Sequence, residues 1–255
     1  MKTPWLLPVL LIPCLAQCED RPQPRPDFVP ADVRLSAHPR AAAAAARVRP
    51  ALERDLWEKD MRLGEPVFIR AFKEERVLEL FVKRKATGKY ELFRSYHVAG
   101  TSGSLGPKLA EGDGQVPEGF YYTGLKSLNP DSMYHLSFNI GYPNAYDTFH
   151  RRTGSHIMIH GSNISIGCLA MTDEKIEEIY TMADAALRNG QPFFRVHVFP
   201  FRMTEERMAR AAGDPNKPFW DSLREGYDLF ERTGLPPETG VEDGRYSFKG
   251  EPSGG

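Results

Sequence analysis

The sequence is poor in cysteine: of three in 255 residues, Cys14 and Cys18 fall within the first 18 positions, leaving Cys168 alone in the rest of the chain. That scarcity excludes a small domain stapled by disulfides, because one thiol cannot close a loop. A strong charge of either sign is also missing. With 33 Lys and Arg against 34 Asp and Glu the formal net charge is -1, a balance that gives no sign of a nucleic-acid partner. The apolar stretch from Trp5 to Ala16 is shorter than the roughly 20 residues that cross a bilayer comfortably. The glycine-rich segment "GTSGSLGPKLAEGDGQVPEG", residues 100–119, lacks the Lys-Ser/Thr ending of a phosphate loop, and no helical pattern follows it, which argues against a nucleotide site.

At the start of the chain, Lys2, the apolar run and the polar turn at Gln17 stand in the order of a secretory signal. Residues 1–18 therefore read as a signal peptide cleaved after Ala16, as a lipoprotein signal ending in "LAQC" at Cys18, or as an uncleaved anchor. Each reading exports the remainder to the periplasm or cell envelope, and the last two add membrane attachment through the N-terminus. Residues 19–50, with six prolines and an alanine run, read as a Pro/Ala-rich linker, at most carrying a short helix. Leu52, Leu56 and Met61 predict a helix that Gly64 and Pro66 end.

Residues 51–202 then read as one globular domain, mainly β with flanking helices (α+β). Apolar and polar residues alternate through 67–72, 77–82 and 90–98, predicting an antiparallel meander with one wet face. "FYYTGLKSLN", "YHLSFNIGYP", "SHIMIHG" and "QPFFRVHVFPF" predict further strands. Ile176, Ile179, Tyr180, Ala183 and Leu187 recur at helical spacing after Thr172, an N-cap residue type, with Asp173 and Glu174 placed to complement the helix dipole. Residues 203–255 form a helical extension with an apolar stripe of Trp220, Leu223, Tyr227 and Phe230, followed by a flexible tail.

The chemistry-bearing stretch is "IMIHGSNISIGCLAMTDEKIEEIY", residues 157–180. His156 and His160 have the spacing of a helical metal pair, but the branched Ile157 and Ile159 argue for a strand. Four strand positions separate the two imidazoles by about 13 Å, too far for one metal, and distant His135 or His150 would be needed to complete a site. No metal is therefore assigned. In the strand, His156, Met158 and His160 share one face and His160 stands at its end beside Gly161. Eight residues beyond His160, Ser165, Gly167 and Cys168 lie in a turn just before the helix. That loop is short enough to fold back, so that imidazole and thiol meet as base and nucleophile. Gly167 permits close backbone approach, and the N–H groups around Cys168 can face an oxyanion. A neighbouring imidazole and the helix start would depress the thiol pKa. The other reading is a core cysteine beside a helix start, with His160 capping backbone; the residues alone leave both open.

"IMIHGSNISIGCLAMTD" resembles the signature of the L,D-transpeptidase catalytic domain, the YkuD-like family, in which an "IHG" histidine precedes a "SHGC" cysteine. "YHVAG" followed by "GPKLAEGDGQVPEGFYYT" resembles the same family's strand, glycine loop and "TPxGxF" segment. With "LSFNIGYPNAYD" and "GCLAMTDEKIEEIY", the likeness is strongest to its YafK-like branch and covers roughly residues 65–200. The resemblance implies a β-sandwich catalytic domain over residues 51–202 that acts on peptidoglycan stem peptides without metal or organic cofactor. Cys168 would attack the carbonyl at the L-centre of a meso-diaminopimelate to D-alanine bond, and His160 would act as general base and acid. Gly161 would orient His160 through its backbone, with Ser165 and Gly167 in support. Tyr142, Asn144 and Arg152 are candidates for contacts to substrate carboxylates and amides. Ile166 replaces the histidine before Gly-Cys, Ala170 replaces a polar residue, and the spacer is short. These departures are typical of the YafK-like branch, which includes hydrolytic members that release stem-peptide or envelope-lipoprotein links. A catalytically inert wall-binding protein is the reading from another class.

Overall fold

The computed structural model describes residues 28–249. The expectations for residues 1–18 and for the first part of the linker lie outside them. The larger sheet contains β1 (Val67–Phe72), β2 (Val77–Lys83), β3 (Tyr90–His97), β4 (Gly119–Gly124) and β9 (Phe193–Phe199), in the order β3-β2-β1-β9-β4. β1 and β9 run parallel and the other neighbours antiparallel. The smaller sheet joins β5 (Leu128–Asn129), β6 (Ser137–Asn139), β7 (Met158–His160) and β8 (Leu169–Ala170) in chain order. Both sheets share a core with α1 (Pro39–Glu58) and α3 (Asp173–Arg188). Around them stand α2 (Ala145–Phe149), α4 (Glu205–Arg210), α5 (Lys217–Thr233) and the hairpin of β10 (Glu238–Glu242) with β11 (Arg245–Lys249). The α+β architecture matches the reading of the pattern.

Alternation along β1 serves two cores rather than one core and solvent. Val67, Ile69 and Ala71 enter the core shared with α1 and α3, while Phe68 and Phe72 join apolar clusters that include residues of α5. All of β1 is buried, so the expected wet face is absent at the sheet centre. The physical reason is the α5 stripe, whose Trp220, Leu223, Tyr227 and Phe230 need an apolar partner surface. Arg70 is tolerated there because Glu79 and Glu231 pair with it while the Phe72, Phe81, Tyr227 and Phe230 rings surround its guanidinium at 5.0 to 5.2 Å.

The linker expectation fails from residue 39 onward. The alanine run is the first half of α1, and buried Ala41, Ala44, Ala45, Leu52 and Leu56 form one stripe at helical spacing against α3. Small side chains let the two helices approach closely, and Pro39 sits in the first turn, where its missing N–H costs nothing. Arg40 of this helix donates to the Ser132 and His135 carbonyls at 2.8 Å each. Arg47 and His135 both bond Glu177 of α3. The tail expectation also fails as far as Lys249, because Asp243-Gly244, both at positive φ, form the two-residue turn of a hairpin that buries Tyr246.

A buried ion pair connects these parts. Glu118, with no solvent exposure, accepts from Lys73 Nζ at 3.0 Å, from Gly106 N at 2.7 Å and from Trp220 Nε1 of α5 at 2.8 Å. Lys73 also donates to the Gly106 and Val116 carbonyls at 2.8 Å each, closing the glycine-rich loop onto the sheet. Replacing Glu118 with Ala leaves the Lys73 ammonium buried and unpaired, at an expected cost of about 3–5 kcal/mol. Denaturant unfolding measures it, and an unchanged midpoint would mean that the pair contributes nothing.

His197 is buried against Phe68 and Phe120, each at 4.7 Å between ring centroids, and neither ring nitrogen has a partner among the described residues. Burial, then the charges of Arg195 and Arg70, hold its pKa well below the ordinary value. The folded protein therefore keeps this ring neutral, while the unfolded chain protonates it below about pH 6.5. Its contribution carries no penalty above that pH and destabilises progressively as pH falls. His197→Leu should raise stability by about 1–3 kcal/mol at neutral pH. It should also flatten the loss between roughly pH 6.5 and 4.5, read from urea midpoints across that range.

Candidate active site

β7 and β8 bring the histidine and cysteine together. They pair in parallel with Ile159 opposite Leu169 and His160 opposite Ala170, so Cys168, the residue before β8, comes beside the start of β7, where Met158 N meets its sulfur, two residues before His160. His160 is 3% exposed, and Nδ1 donates to the Gly161 carbonyl at 2.6 Å, which leaves the Nε2 lone pair free to accept a proton. The Tyr134 ring lies over the imidazole, with centroids 4.7 Å apart. Gly161 N in turn bonds the Tyr134 and Leu136 carbonyls, and Arg40 of α1 grips the same loop at Ser132 and His135. The segment predicted to be a linker therefore braces the cover of the histidine.

Cys168 Sγ accepts from Met158 N at 3.3 Å and lies 3.7 Å from the His156 carbonyl. Ser165 Oγ accepts from Cys168 N at 3.0 Å, and Ser102 Oγ accepts from Gly167 N at 2.7 Å while donating to the Gly114 carbonyl at 2.6 Å. Both N–H groups that the sequence offered to an oxyanion are thus held by serine hydroxyls. Gly167 has φ +80, a conformation that a side chain would strain. Ser102 carried no motif and was missed; only its place in the glycine-rich loop marked it. Ser162 N donates to Asp173 Oδ1 at 2.8 Å, so the first acid of α3 anchors the loop between His160 and Cys168.

Two electrostatic expectations change. β8 and two further residues separate Cys168 from α3, so the helix start does not adjoin the thiol. Thr172 occupies the N-cap position but makes no side-chain cap bond. Burial pushes the Cys168 thiol up, against smaller opposite effects of the Met158 N–H and the Lys108 charge. Burial also lowers His160, with the Gly161 carbonyl opposing. The resting pair is a neutral thiol and a neutral imidazole, because the expected depression required a cation that a buried histidine does not supply. Lys108 is the charge nearest in effect; it is buried and held by Asp113 Oδ1 at 2.6 Å and the Ala110 carbonyl at 2.8 Å.

The structure places the other candidates within the scaffold. Tyr142 is buried, its hydroxyl directed at the Lys108 and Thr153 carbonyls. Asn144 caps α2 through Asp147 N and donates to the Phe120 carbonyl and the Tyr246 hydroxyl. Arg152 pairs with buried Asp147 at 2.8 Å, and its guanidinium lies 5.0 Å from the Tyr146 ring and 4.7 Å from the Phe219 ring. These polar groups are already engaged by the protein itself. His156 precedes β7 at φ 56 and bonds Ser155, out of line with His160.

A family model described as the L,D-transpeptidase catalytic domain (YkuD) matches residues 66–218. The chain belongs to that family. It is 47% identical over 188 residues to the Escherichia coli (strain K12) protein named "Putative L,D-transpeptidase YafK", covering 74% of this chain and 76% of that one. Two solved structures of the helical cell shape determining protein Pgp2 from Campylobacter jejuni are also similar. A substituted form is 21% identical with a TM-score of 0.43, covering 64% of this chain and 55% of that one. The other is 18% identical with a TM-score of 0.42, covering 75% and 80%.

The neutral resting pair generates a test. Iodoacetamide labelling of Cys168 in the free protein should rise only on the alkaline side of about pH 8.5, the ordinary thiol value. Lys108→Met should move the midpoint higher still, by removing the one charge that favours the thiolate. A labelling midpoint near neutrality would restore the depressed-thiol reading.

Proposed function

We propose that the protein is an exported cysteine acyl-transfer enzyme of the cell wall, of L,D-transpeptidase type, acting on peptidoglycan stem peptides. What supports this reading is the parallel pairing of β7 with β8, which brings Cys168 Sγ to Met158 N two residues before His160, with Nδ1 of the imidazole committed to Gly161. Nε2 takes the thiol proton as Cys168 Sγ attacks the carbonyl at the L-centre of the meso-diaminopimelate to D-alanine bond. The tetrahedral intermediate collapses to a thioester, and the proton held by His160 leaves with D-alanine. An amine or water then attacks the thioester, giving its proton to the same nitrogen, and the thiol is restored. Met158 N–H, already at the sulfur, stabilises the thiolate as it forms.

Hydrolysis is favoured as the second half-reaction by one observation. Ile164 and Ile166 in the loop between His160 and Cys168 are 68% and 82% exposed, while α5 packs against the larger sheet through Phe72, Phe120 and Phe199. A wall that excludes water beside the thioester is what cross-linking requires. A link to an envelope lipoprotein is an alternative substrate of the same chemistry.

With a tetrapeptide donor and acceptor in heavy-oxygen water, D-alanine release should vanish in Cys168→Ala and fall by roughly two to four orders of magnitude in His160→Ala. Labelled tripeptide should exceed cross-linked dimer. Turnover retained in Cys168→Ala would overturn the mechanism, and a dominant unlabelled dimer would overturn the hydrolytic preference. Export and membrane attachment through residues 1–18 belong to the same proposal. Intact mass from the native envelope should give an N-terminus at Gln17 or a lipidated Cys18, whereas unprocessed Met1 in the cytosol would refute export.

A further inference from the structure

Two adjoining hollows of about 390 and 410 Å³ open where the larger sheet meets the C-terminal end of α5 and β10. They share Lys83, Tyr90, Arg195 and Pro236. None of Lys83, Arg195 and Lys249 makes an ion pair with another described residue, although this protein pairs most of its buried and half-buried arginines. Counting these cations against Glu238, which lines the same hollow, leaves an excess of two positive charges. Leu235, Pro192, Pro236 and Pro237 supply apolar walls, and Tyr90 is half-buried, with its hydroxyl pKa raised by burial and opposed by Arg195.

The register fixes where the two cationic side chains leave the sheet. Lys83 N bonds the Pro66 carbonyl, and Arg195 stands level with Phe68, one step before the Ile69–Val196 pair. Lys83 has the parity of Phe81, and Arg195 that of His197, so both lie on the α5 face of the sheet. They flank β1 on opposite sides, two residues out of step, with Cα atoms about 12 Å apart. That separation suits two single anions on an extended chain better than one compact dianion. An extended peptide whose carboxylates are about 12 Å apart, such as the free carboxyl of a γ-linked glutamate and the far carboxyl of a following diaminopimelate, spans it.

We propose that this cleft is a second peptide-binding site, which takes a carboxylate-bearing stem peptide through Lys83 and Arg195. The choice of peptide rests on the cell-wall reading above; the cleft itself does not. It lies away from the thiol. Tyr90 begins β3, which runs about 23 Å to His97, and only beyond that end does Gly100 bridge Ala170 of β8. A strand held here leaves the nucleophile free to work on another part of the same polymer, raising its local concentration.

The test uses the full chain carrying Cys168→Ala and the tripeptide L-alanyl-γ-D-glutamyl-meso-diaminopimelate, followed by amide chemical shifts. The amides of Lys83, Tyr90 and Arg195 should shift and saturate. The double variant Lys83→Glu with Arg195→Glu should weaken that binding at least ten-fold, and the corresponding Gln pair should weaken it less. In the chain that keeps Cys168, the same double variant should be acylated by a carbapenem within two-fold of the parent rate, and its thermal midpoint should match. Shifts confined to the surroundings of His160 and Cys168, or unaltered affinity in the double variants, would overturn the proposal. Inorganic phosphate abolishing the shifts at equal concentration would reduce the cleft to an adventitious anion patch. Absent acylation in every variant with the cleft shifts intact would refute the catalytic reading and leave the cleft standing.

Discussion

A carboxylate sealed from solvent, Glu118, ties three distant pieces of chain to one point: Lys73 after β1, Gly106 in the glycine-rich loop and Trp220 in α5. A buried charge pair contributes little net stability over an apolar substitute, but it is intolerant of partial loss and so fixes geometry. Here the geometry it fixes is that of the loop from Thr101 to Val116. Ser102 of that loop holds Gly167 N, next to Cys168, and Lys108 of the same loop places the charge that acts on the thiol. The C-terminal extension is thereby linked to the site without touching it.

The site itself is a consequence of parallel pairing between two very short strands. Neither β7 nor β8 has enough backbone hydrogen bonds to hold its register alone. The register is reinforced from outside: Met171 N bonds the His160 carbonyl, Gly100 bridges Ala170, and Ser162 N bonds Asp173. A slip of one residue would take Cys168 Sγ away from Met158 N and shift it along β7 relative to His160. Burial then sets the chemistry, since it disfavours both the thiolate and the imidazolium and keeps the resting pair neutral.

The flanking segments divide the support between them. α1 lies before the residues matched to the family and grips the loop that carries Tyr134 over His160. α5 extends past the end of that match and covers the opposite face of the larger sheet. A chain reduced to residues 66–218 would expose Phe68 and Phe72 on one side and the α3 stripe on the other. The family region is therefore only part of the folding unit.

Sequence by itself determined the strands expected at 67–72, 77–82 and 90–98 to within one residue, and the helix after Thr172, because each rests on local period. The stripe from Trp220 to Phe230 was legible for the same reason. It did not determine that α1 packs as a helix, since alanines carry too little apolar contrast to mark a face until a partner helix is present. The roles of Tyr142, Asn144 and Arg152 were equally hidden. Each has a side chain able to meet a ligand, and only the arrangement of Asp147, Lys108, Phe120 and Tyr246 around them shows their bonds already made. Ser102 and Ser165 became partners of adjacent N–H groups although 63 positions separate them in the chain. The direction of the thiol pKa shift was decided last of all, because proximity to histidine is visible in a sequence and desolvation is not.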